Sequence, residues 1–384
     1  MPHSDHSASP TWDAFPDLPP FSKSVPTAPL LRISLSKLLA HDPDEEERCW
    51  KACCDLGFFY LDLHTSDASQ EIDGGALLHN AEELFEVMKG FFELPVEEKT
   101  TYDFADKGSY FGYKGYGKGI VDKKGTKDRN EFYNISKDDI LGLSKRLPSA
   151  EVLNPHRSLY ESYIRSSHAI CMLVTSLLSS RLPLLPVVRD AGGLPALHKL
   201  DAVSGDQIRF IKAPPQEQSL EGVALGEHTD FGSVTVLFNR LGGLQVRLPD
   251  YIQPLQPSSS APSSPVEQAL CTSGWTYVRP LPGHCIVNLG DALVKFSSGK
   301  LRSNIHRVVA PPGEQGKVTR YSLVYFCRPE DDVRLRSLVE GGVEGEEEEV
   351  SAKEWILRRA LGRRKEDGWE KSGGTEGVSM RGGK

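Results

Sequence analysis

The sequence predicts a mainly β protein that also contains several helices. From about Gly205 onward, the chain consists of short runs rich in Val, Ile, Thr and aromatic residues, separated by Gly, Pro and Asp. Such runs are typical of strands in a sandwich or a barrel. Before that point, apolar residues recur mainly at the spacing of helices. The predicted strands are QIRFIKA, SVTVLFN, LQVRL, WTYVRPL, CIVNLG, HRVVA and RYSLVYF.

The predicted elements of the first half begin with a short strand in LLRISLSKLL. In DEEERCWKACCDLGFFYLDL, an acidic first turn and a helical apolar pattern predict a helix that Gly57 ends, followed by a strand. A second helix covers HNAEELFEVMKGFFELP. The longest helix covers HRSLYESYIRSSHAICMLVTSLLSSRL, in which His168 is expected to be structural. Near the end of the chain, SAKEWILRRALGRR predicts a further helix.

These patterns divide the chain into four parts. Residues 1–24 are expected to form a flexible tail, 25–150 a region of helices and strands, and 151–336 the long helix with the β core. Within this core, the Pro- and Ser-rich stretch 253–274 is predicted to be an insertion in a surface loop. The remaining residues, 337–384, are predicted to form an acidic and helical C-terminal tail.

Charge and composition argue against several classes of partner. The formal net charge of -8 gives no reason to expect nucleic-acid binding. The seven cysteines are odd in number and fit no zinc or disulfide spacing. The N-terminus lacks the apolar core of a signal peptide, and no run reaches transmembrane length. The sequence therefore predicts a soluble, cytoplasmic protein with reduced thiols and without a nucleic-acid or membrane partner.

The stretch EHTDFGSVTVLF places a histidine and an aspartate at the start of a strand-like run. If both belong to the strand, His228 and Asp230 project from the same face, because side chains at i and i+2 lie on one side. They would then suit two ligands of one metal ion. The same pattern at His3 and Asp5 lies in the predicted tail, so it is the strand context that supports the hypothesis.

A third ligand is available in SNIHRVVA, where His306 lies in another predicted strand. Two histidines and one carboxylate form the facial set that holds non-haem Fe(II) and leaves three positions open. The same residues would suit zinc with a bound water. A polar histidine and a surface aspartate without a metal are the third interpretation, and the spacing leaves all three open.

A candidate carboxylate clamp lies in KVTRYSLVYF, where Arg320 and Ser322 again occupy positions i and i+2 of a predicted strand. A guanidinium beside a hydroxyl suits a carboxylate. A 2-oxoacid that chelates the metal through its C1 carboxylate and keto oxygen would need a cation at its far carboxylate, and Arg320 could be that cation. The alternative is an arginine in a surface or packing role.

The loop GSYFGYKGYGKG is rich in Gly and Tyr. Its glycines do not follow a strand and open a helix, so the pattern favours a surface or site-lining loop over a nucleotide-binding loop. Together with Phe231, which is next to Asp230, the residues Tyr110 and Phe111 are candidates for lining a substrate pocket. Packing roles are the alternative for each of them.

Taken in order, HTDFGSVTVL, GGLQV, VNLGD, SNIHRVV and RYSLVYFCRP resemble the motifs of the Fe(II)/2-oxoglutarate-dependent dioxygenases. More narrowly, they resemble the isopenicillin N synthase-like branch, and GFFYLDL and FFELPVEEK resemble its N-terminal helical region. The resemblance covers about residues 25–335. It implies a double-stranded β-helix, or jelly-roll, core with helices packed around it.

The resemblance also implies a catalytic centre. His228, Asp230 and His306 would be the iron ligands, and Arg320 and Ser322 would clamp the distal carboxylate of 2-oxoglutarate. The implied cofactors are Fe(II), 2-oxoglutarate as cosubstrate and O2. The implied reaction is hydroxylation, desaturation or ring formation on a small organic molecule. The prolines and polar tails, with the habits of the branch, favour a fungal-type or bacterial enzyme of specialised metabolism.

The sequence departs from the branch at two motifs, and the Pro- and Ser-rich insertion lengthens the gap between Asp230 and His306. Ile211 and Ala213 stand where many members have Asn-x-Tyr, so different cosubstrate contacts are expected. The usual His-Gly after the first strand is absent from LDLHTSD.

Two other functions remain open. An oxidase of the isopenicillin N synthase type would use the same Arg and Ser to hold the carboxylate of its substrate, without 2-oxoglutarate. A catalytically inactive jelly-roll module would bind a partner through the insertion or the acidic tail. Inactive relatives usually lose a ligand or the arginine, whereas this chain has all five residues, which favours the enzyme.

Overall fold

The computed structural model describes residues 15–64, 72–122, 124–216, 223–256, 274–342 and 350–362. Within these ranges, eight strands form a major sheet and four strands form a minor sheet. Residues of both sheets line a shared cavity, so the two sheets form the walls of a sandwich. The predicted mainly β fold with surrounding helices is confirmed.

The major sheet is antiparallel except for one parallel pair, β1 with β2, at its edge. In spatial order its strands are β1 (Arg32–Ser34), β2 (Phe58–Asp62), β10 (His284–Leu289), β7 (Val234–Asn239), β12 (Arg320–Cys327), β5 (Gln207–Ala213), β4 (Glu131–Ser136) and β3 (Gly112–Lys114).

The minor sheet is antiparallel throughout. In spatial order its strands are β6 (Val223–His228), β11 (His306–Val309), β8 (Leu244–Arg247) and β9 (Trp275–Tyr277). The register of β6 and β11 places His306 directly opposite His228. The sheet pairing therefore brings two histidines together that are far apart in the sequence.

Strand β12 shows how the major sheet separates the core from the cavity. Successive side chains of a strand point to opposite faces. Leu323 and Tyr325 belong to the main hydrophobic core, whereas Ser322, Val324 and Phe326 line the cavity. One face of the sheet is thus packed with apolar side chains, and the other face is available for a ligand.

The helices pack mainly against the outer face of the major sheet, where α3 and α6 contact each other and β12. Leu84, Met88 and Phe91 of α3 share the core with Tyr163 and Ile164 of α6. The helices are α1 (Leu35–Leu39), α2 (Pro43–Asp55), α3 (Gly74–Glu93), α4 (Val96–Thr100), α5 (Lys137–Ile140), α6 (Arg157–Arg181), α7 (Pro186–Asp190), α8 (Asp291–Phe296) and α9 (Ala352–Gly362).

Local sequence signals explain the ends of α2. Asp42 accepts hydrogen bonds from two backbone N–H groups of the first turn, and Pro43 occupies the first helical position, where its missing N–H costs little. Gly57 ends the segment with a φ of 65°, and a Cβ there would overlap the backbone of Arg302. Glycine at this position is therefore required both by the left-handed backbone and by the close contact.

The predicted helices are confirmed, but several strands differ from the prediction. The run from His228 to Phe238 is not one strand, because β6 ends at His228 and β7 begins at Val234. Only Arg32–Ser34 of LLRISLSKLL is extended, since the Ser34 side chain caps α1 by accepting from the N–H of Lys37. Strand β3, Gly112–Lys114, lies within the segment predicted as a loop, and strand β4 was not predicted from its sequence, EFYNIS.

Further expectations concern the cysteines, the insertion and the membrane. The six cysteines within the described ranges are all free thiols, and Cys271 lies outside those ranges. Most of the predicted insertion, residues 257–273, also lies outside the described residues. Of the helices in the described residues, none has both the length and the apolar character needed to cross a membrane.

Candidate metal centre and its cavity

A cavity of about 140 Å³ lies between the major and minor sheets. Its wall is largely apolar, with contributions from Phe58, Leu237, Leu244 and Val308. A concave, mostly apolar surface is typical of small-molecule sites, and here polar and charged side chains also contribute to it. The polar and charged side chains in the wall are Lys114, Asp128, Asn134, Arg209, His228, Asp230, Thr235, Asn288, His306, Arg320, Ser322 and Arg328.

His228, Asp230 and His306 converge at one point of the cavity wall. The ring centroids of the two histidines are 4.1 Å apart, and Nε2 of His306 lies 3.8 Å from Oδ1 of Asp230. One ligand atom from each of the three residues lies within 4.8 Å of the others. The structure therefore brings the three predicted ligands together in a set that suits non-haem Fe(II).

The elements that carry these ligands differ from the sequence expectation. His228 is the last residue of β6 and His306 is the first residue of β11. Asp230 lies in the connection between β6 and β7 and not in a strand. The two-residue spacing nevertheless leaves both side chains at one site, because the chain turns immediately after β6.

Backbone carbonyls orient both imidazoles. Nδ1 of His228 lies 2.8 Å from the carbonyl of Gly226, and Nδ1 of His306 lies 3.1 Å from the carbonyl of Asn304. A proton on each Nδ1 satisfies these carbonyls and leaves the lone pair of Nε2 at the point of convergence. Such outer hydrogen bonds fix the tautomer and the ring orientation of metal-binding histidines.

Hydrogen bonds to one of its two oxygens hold the carboxylate of Asp230 in place. Oδ2 accepts from Oγ1 of Thr235 at 2.7 Å and from Nδ2 of Asn288 at 2.6 Å, which leaves Oδ1 directed toward His306. Burial alone would raise the pKa of Asp230. The imidazole of His306 and the hydrogen bonds from Asn288 and Thr235 outweigh burial and hold that pKa below its usual range.

Arg320 and Ser322 form the predicted pair on the inner face of β12. Arg320 is 3 % exposed; its Nε donates to the carbonyl of Gly242 at 2.7 Å, and its Nη1 donates to Oγ of Ser322 at 2.6 Å. Burial lowers the pKa of Arg320 to about 10, so it stays charged at neutral pH. No carboxylate pairs with it in the described part of the chain, which makes this guanidinium a candidate anion-binding group.

The glycine pair of GGLQV makes room for this arginine. Gly243 has a φ of 100°, and a Cβ there would lie 2.6 Å from the carbonyl oxygen of Val309 and 3.3 Å from Nε of Arg320. Any other residue would combine backbone strain with a clash. The motif therefore positions the guanidinium, a role that the sequence pattern did not reveal.

A second buried network holds the segment between the ligands. Oδ2 of Asp291 accepts from the hydroxyl of Thr229 at 2.9 Å and from Nη1 of Arg359. Nη2 of Arg359 also donates to Thr229 at 3.2 Å. The backbone N–H of Asp291 donates to the carbonyl of Asp230 at 2.9 Å. Helix α9 thus reaches the segment between the candidate ligands through Arg359, although its sequence predicted only a tail helix.

Two of the three candidate substrate residues line the cavity. Tyr110 and Phe231 are part of its wall, whereas Phe111 is outside it and packs on Tyr110 with ring centroids 4.5 Å apart. The guanidinium of Arg359 lies 4.4 Å from the ring of Phe231. Burial raises the pKa of Tyr110 to about 12, so its hydroxyl keeps its proton at neutral pH.

Ile211 and Ala213, which stand in place of the expected Asn-x-Tyr, lie on β5 beside the clamp residues of β12. Ile211 lines the cavity opposite Ser322, and Ala213 pairs with Arg320 across β5 and β12. Lys212 points away and lies 3.5 Å from Glu131. An apolar wall therefore replaces the tyrosine hydroxyl that many similar sequences have here.

Sequence reasoning missed most of the charged wall of the cavity. Lys114 is buried and donates to Asp128 and to the carbonyl of Asn130 at 2.8 Å. Arg209 donates to Oδ1 of Asn134 at 2.7 Å, and Arg328 lies just beyond β12. The sequence did contain a signal for the two arginines. Alternate residues of QIRFIKA and RYSLVYFCR lie on one face of their strands, and Arg209 and Arg328 share that face with other cavity residues.

Family models and known proteins match the chain over most of its length. A model described as the non-haem dioxygenase in morphine synthesis N-terminal region matches residues 29–154. A model of the 2OG-Fe(II) oxygenase superfamily matches residues 204–329. The second match includes all five residues predicted as metal ligands and clamp.

Curated relatives and a solved structure agree with these models. A 2-oxoglutarate-dependent dioxygenase of Aspergillus fumigatus is 32% identical over 337 residues, which is 85% of this chain and 81% of the relative. The 2-oxoglutarate-dependent dioxygenase frbH of Dothideomycetidae sp. is 30% identical over 87% of this chain and 90% of the relative. A full-length Neurospora crassa protein, solved in complex with alpha-KG and 5-formyluracil, is similar in fold, with a TM-score of 0.62 and 22% identity over 86% of this chain and 96% of that chain.

Proposed function

Because the chain belongs to the Fe(II)/2-oxoglutarate-dependent oxygenase superfamily, we propose that it oxidises a small organic molecule in the cavity between its two sheets. One observation carries this proposal. The two histidines and the carboxylate that suit Fe(II) line the same cavity as a buried guanidinium, for which the described residues provide no carboxylate partner. A metal ion and a dicarboxylic cosubstrate together would satisfy both groups.

The residues at the point of convergence fit Fe(II). His228 and His306 would each provide Nε2, since their Nδ1 atoms face backbone carbonyls. Asp230 would provide Oδ1, since Thr235 and Asn288 occupy Oδ2. Fe(II), with 2-oxoglutarate and O2, supplies the oxidising chemistry that breaks an unactivated C–H bond. The protein holds this set rigidly through the hydrogen bonds behind each ligand.

Arg320 and Ser322 would receive the distal carboxylate of 2-oxoglutarate. Nε and Nη1 of Arg320 are used by Gly242 and Ser322, which leaves Nη2 for a ligand. Oγ of Ser322 accepts from Arg320, so its own hydroxyl proton is available to donate to the same carboxylate. A carboxylate bound here would neutralise a buried guanidinium, and a charge-assisted hydrogen bond of this kind is strong.

The apolar part of the wall would exclude water from the reacting centre. Phe58 packs edge-on against His306 with ring centroids 5.3 Å apart, and Phe231 follows Asp230 directly and lines the cavity. The remaining lining side chains would hold the substrate next to the metal ligands. The 2-oxoglutarate-using version is favoured over the oxidase because curated relatives similar to this chain are named 2-oxoglutarate-dependent dioxygenases.

The test is an anaerobic titration of the apoprotein with Fe(II) and then 2-oxoglutarate, followed by the visible charge-transfer band of the chelate. His306→Ala should abolish the band. Arg320→Met should weaken 2-oxoglutarate binding roughly 10- to 100-fold, because it removes charge-assisted hydrogen bonds. His79→Ala and Arg165→Met, which change exposed helix residues, are the matched controls and should titrate as the unmodified protein does.

The other outcomes distinguish the alternatives. Iron binding without the band, and with no effect of 2-oxoglutarate, would favour the oxidase, in which Arg320 holds a carboxylate of the substrate. A protein that is folded but binds no iron would refute the enzyme and leave a jelly-roll binding module.

A further inference from the structure

The cavity wall contains a second buried arginine that the cosubstrate clamp does not use. Arg328 lies just beyond the end of β12, is 4 % exposed and lines the same cavity as the metal centre. Two glycines make room for it. A Cβ at Gly232 would lie 2.7 Å from Cγ of Arg328, and a Cβ at Gly205 would lie 3.1 Å from its Cδ. The surrounding backbone is thus shaped to accommodate this side chain.

The protein uses only part of the Arg328 guanidinium. Nη1 donates to the carbonyl of Gly205, whereas Nε has no hydrogen-bond partner within the described ranges. Those ranges give Nη2 no partner either. Nε and Nη2 form the edge of a guanidinium that binds a carboxylate with two parallel hydrogen bonds. The unused edge of Arg328 is therefore the edge that suits a carboxylate.

Asp206, which contacts the backbone of Arg328, does not form an ion pair with its side chain. One oxygen of Asp206 accepts from the backbone N–H of Arg328, and the other accepts from the hydroxyl of Tyr325, both at 2.7 Å. Among the described residues, no carboxylate forms an ion pair with the Arg328 side chain. An ionised group that is buried without a partner is costly unless a ligand provides the opposite charge.

Aromatic rings connect Arg328 to the metal centre. Its guanidinium lies 5.6 Å from the ring centroid of Tyr110 and 5.2 Å from that of Phe326. Phe326 pairs with Thr235 across β12 and β7, and Thr235 donates to the ligand carboxylate of Asp230. A small molecule that reaches Arg328 would therefore place its body against Phe326, close to the ligands.

The charges of the cavity wall leave Arg328 for the substrate. Lys114 is paired with Asp128. Arg320 would be neutralised by the distal carboxylate of 2-oxoglutarate, and Asp230 would be neutralised by the metal. Arg209 is engaged with Asn134 and with the ring of Phe132. Both of these groups are uncharged and hold Arg209 in place without neutralising it, so the wall keeps an excess of positive charge. The unused edge of Arg328 is where a negatively charged group of the substrate can bind.

We propose that Arg328 binds the carboxylate of the substrate, which makes the substrate class a small monocarboxylic acid with an aromatic or alicyclic body. This inference rests on the proposed function, because the acid is oxidised at the metal centre of the same cavity. The carboxylate fixes one end of the molecule at Arg328. The apolar body then lies along Tyr110 and Phe326, so that a carbon a few bonds from the carboxylate faces His228 and His306.

The test compares acids with their uncharged analogues on protein loaded anaerobically with Fe(II) and 2-oxoglutarate. The probes are 3-phenylpropionate and cyclohexylacetate, each paired with its primary amide and titrated by calorimetry and by the shift of the charge-transfer band. We expect the acids to bind at least tenfold more tightly than the amides. Arg328→Met should weaken the acids roughly 10- to 100-fold and leave the amides unchanged.

Two variants distinguish the charge of Arg328 from the geometry of its donors and from general effects of a substitution on folding. Arg328→Lys keeps the charge but not the side-on pair of donors, so it should recover only part of the acid affinity. Arg165→Met, on an exposed helix face, should bind acids as the unmodified protein does. The affinity of each variant for 2-oxoglutarate, measured first, shows that its cavity is intact, since Arg328 takes no part in that binding.

The outcomes are separable from those for the proposed function. Failure of the unmodified protein to form the band would refute the proposed function before any probe is added. With the band present, acids and amides of equal affinity would overturn the inference. Acids that do not bind at 10 mM, a concentration on the order of the weakest expected Kd, would also overturn the inference. An acid affinity that Arg328→Met leaves unchanged would overturn it as well.

Discussion

Helix α9 contacts the segment around the metal ligands through Trp355 and Arg359, and Arg359→Met tests what the arginine contributes. The Arg359 side chain is fully buried, donates to Asp291 and Thr229, and lies over the ring of Phe231. Methionine keeps much of the length and apolar bulk of arginine. It removes the charge and the donors, and it leaves the carboxylate of Asp291 buried.

The expected loss follows from these contacts. Removing one partner of a buried ion pair costs roughly 3–5 kcal/mol of unfolding free energy, because the remaining charge stays buried. Thr229 still donates to Asp291 at 2.9 Å, so we expect the lower end, about 3 kcal/mol. Thr229 also lies between His228 and Asp230. Loss of its second contact should therefore weaken Fe(II) binding about tenfold, the lower end for groups behind metal ligands.

Urea unfolding of the apoprotein and anaerobic Fe(II) titration measure the two effects. Arg358→Met changes the exposed neighbour on the same helix and should stay within about 0.5 kcal/mol of the unmodified protein. Adding Asp291→Asn to Arg359→Met removes the buried carboxylate charge of Asp291, which has lost its arginine partner. This double variant should recover part of the unfolding free energy. If Arg359→Met alone shows neither loss, Arg359 does not stabilise the site and the reasoning is refuted.

Three further predictions use other contacts of the site. Gly243→Ala should displace the clamp arginine and raise the Kd for 2-oxoglutarate more than tenfold. Gly125→Ala, at a φ of 78° with open space around it, should cost only about 1 kcal/mol of unfolding free energy. Equal effects of the two variants on the Kd for 2-oxoglutarate would contradict the clash at Gly243. Asn288→Leu removes one of two donors to the ligand carboxylate and should weaken Fe(II) binding roughly 10- to 100-fold in the anaerobic titration, and an unchanged affinity would show that the donor is dispensable. Lys114→Met breaks a buried pair and should lower the unfolding free energy in urea by roughly 3–5 kcal/mol, while the exposed Lys118→Met should change it by less than about 0.5 kcal/mol.

The sequence predicted the positions of the candidate ligands better than their local structure. His228 and Asp230 were expected on one strand, but a turn begins after His228, and Asp230 reaches the site from the connection. His228 and Asp230 are nevertheless close to each other, as expected, because Asp230 follows the end of the strand by only two residues. For Arg320 and Ser322, the strand was predicted correctly, and the i and i+2 spacing gave the observed contact.

The parts that were missed depend on long-range packing. Arg359 contacts Thr229 across 130 positions of sequence, and nothing in SAKEWILRRALGRR distinguishes this buried arginine from the exposed Arg358. Arg328 is buried because Gly205 and Gly232 leave space for it, and a local pattern does not show which glycines will face which side chain. The fold class was predictable since it depends on the repeated alternation of many short segments.

The pairing of β6 with β11 has a consequence for the kinetics of folding. Strands that are distant in sequence pair slowly, because the chain must close a long loop before it gains their contacts. His228 and His306 become neighbours only when these two strands pair. A metal ion would thus bind only to chains that have completed this late step. By binding the paired state alone, it would also stabilise the minor sheet against opening.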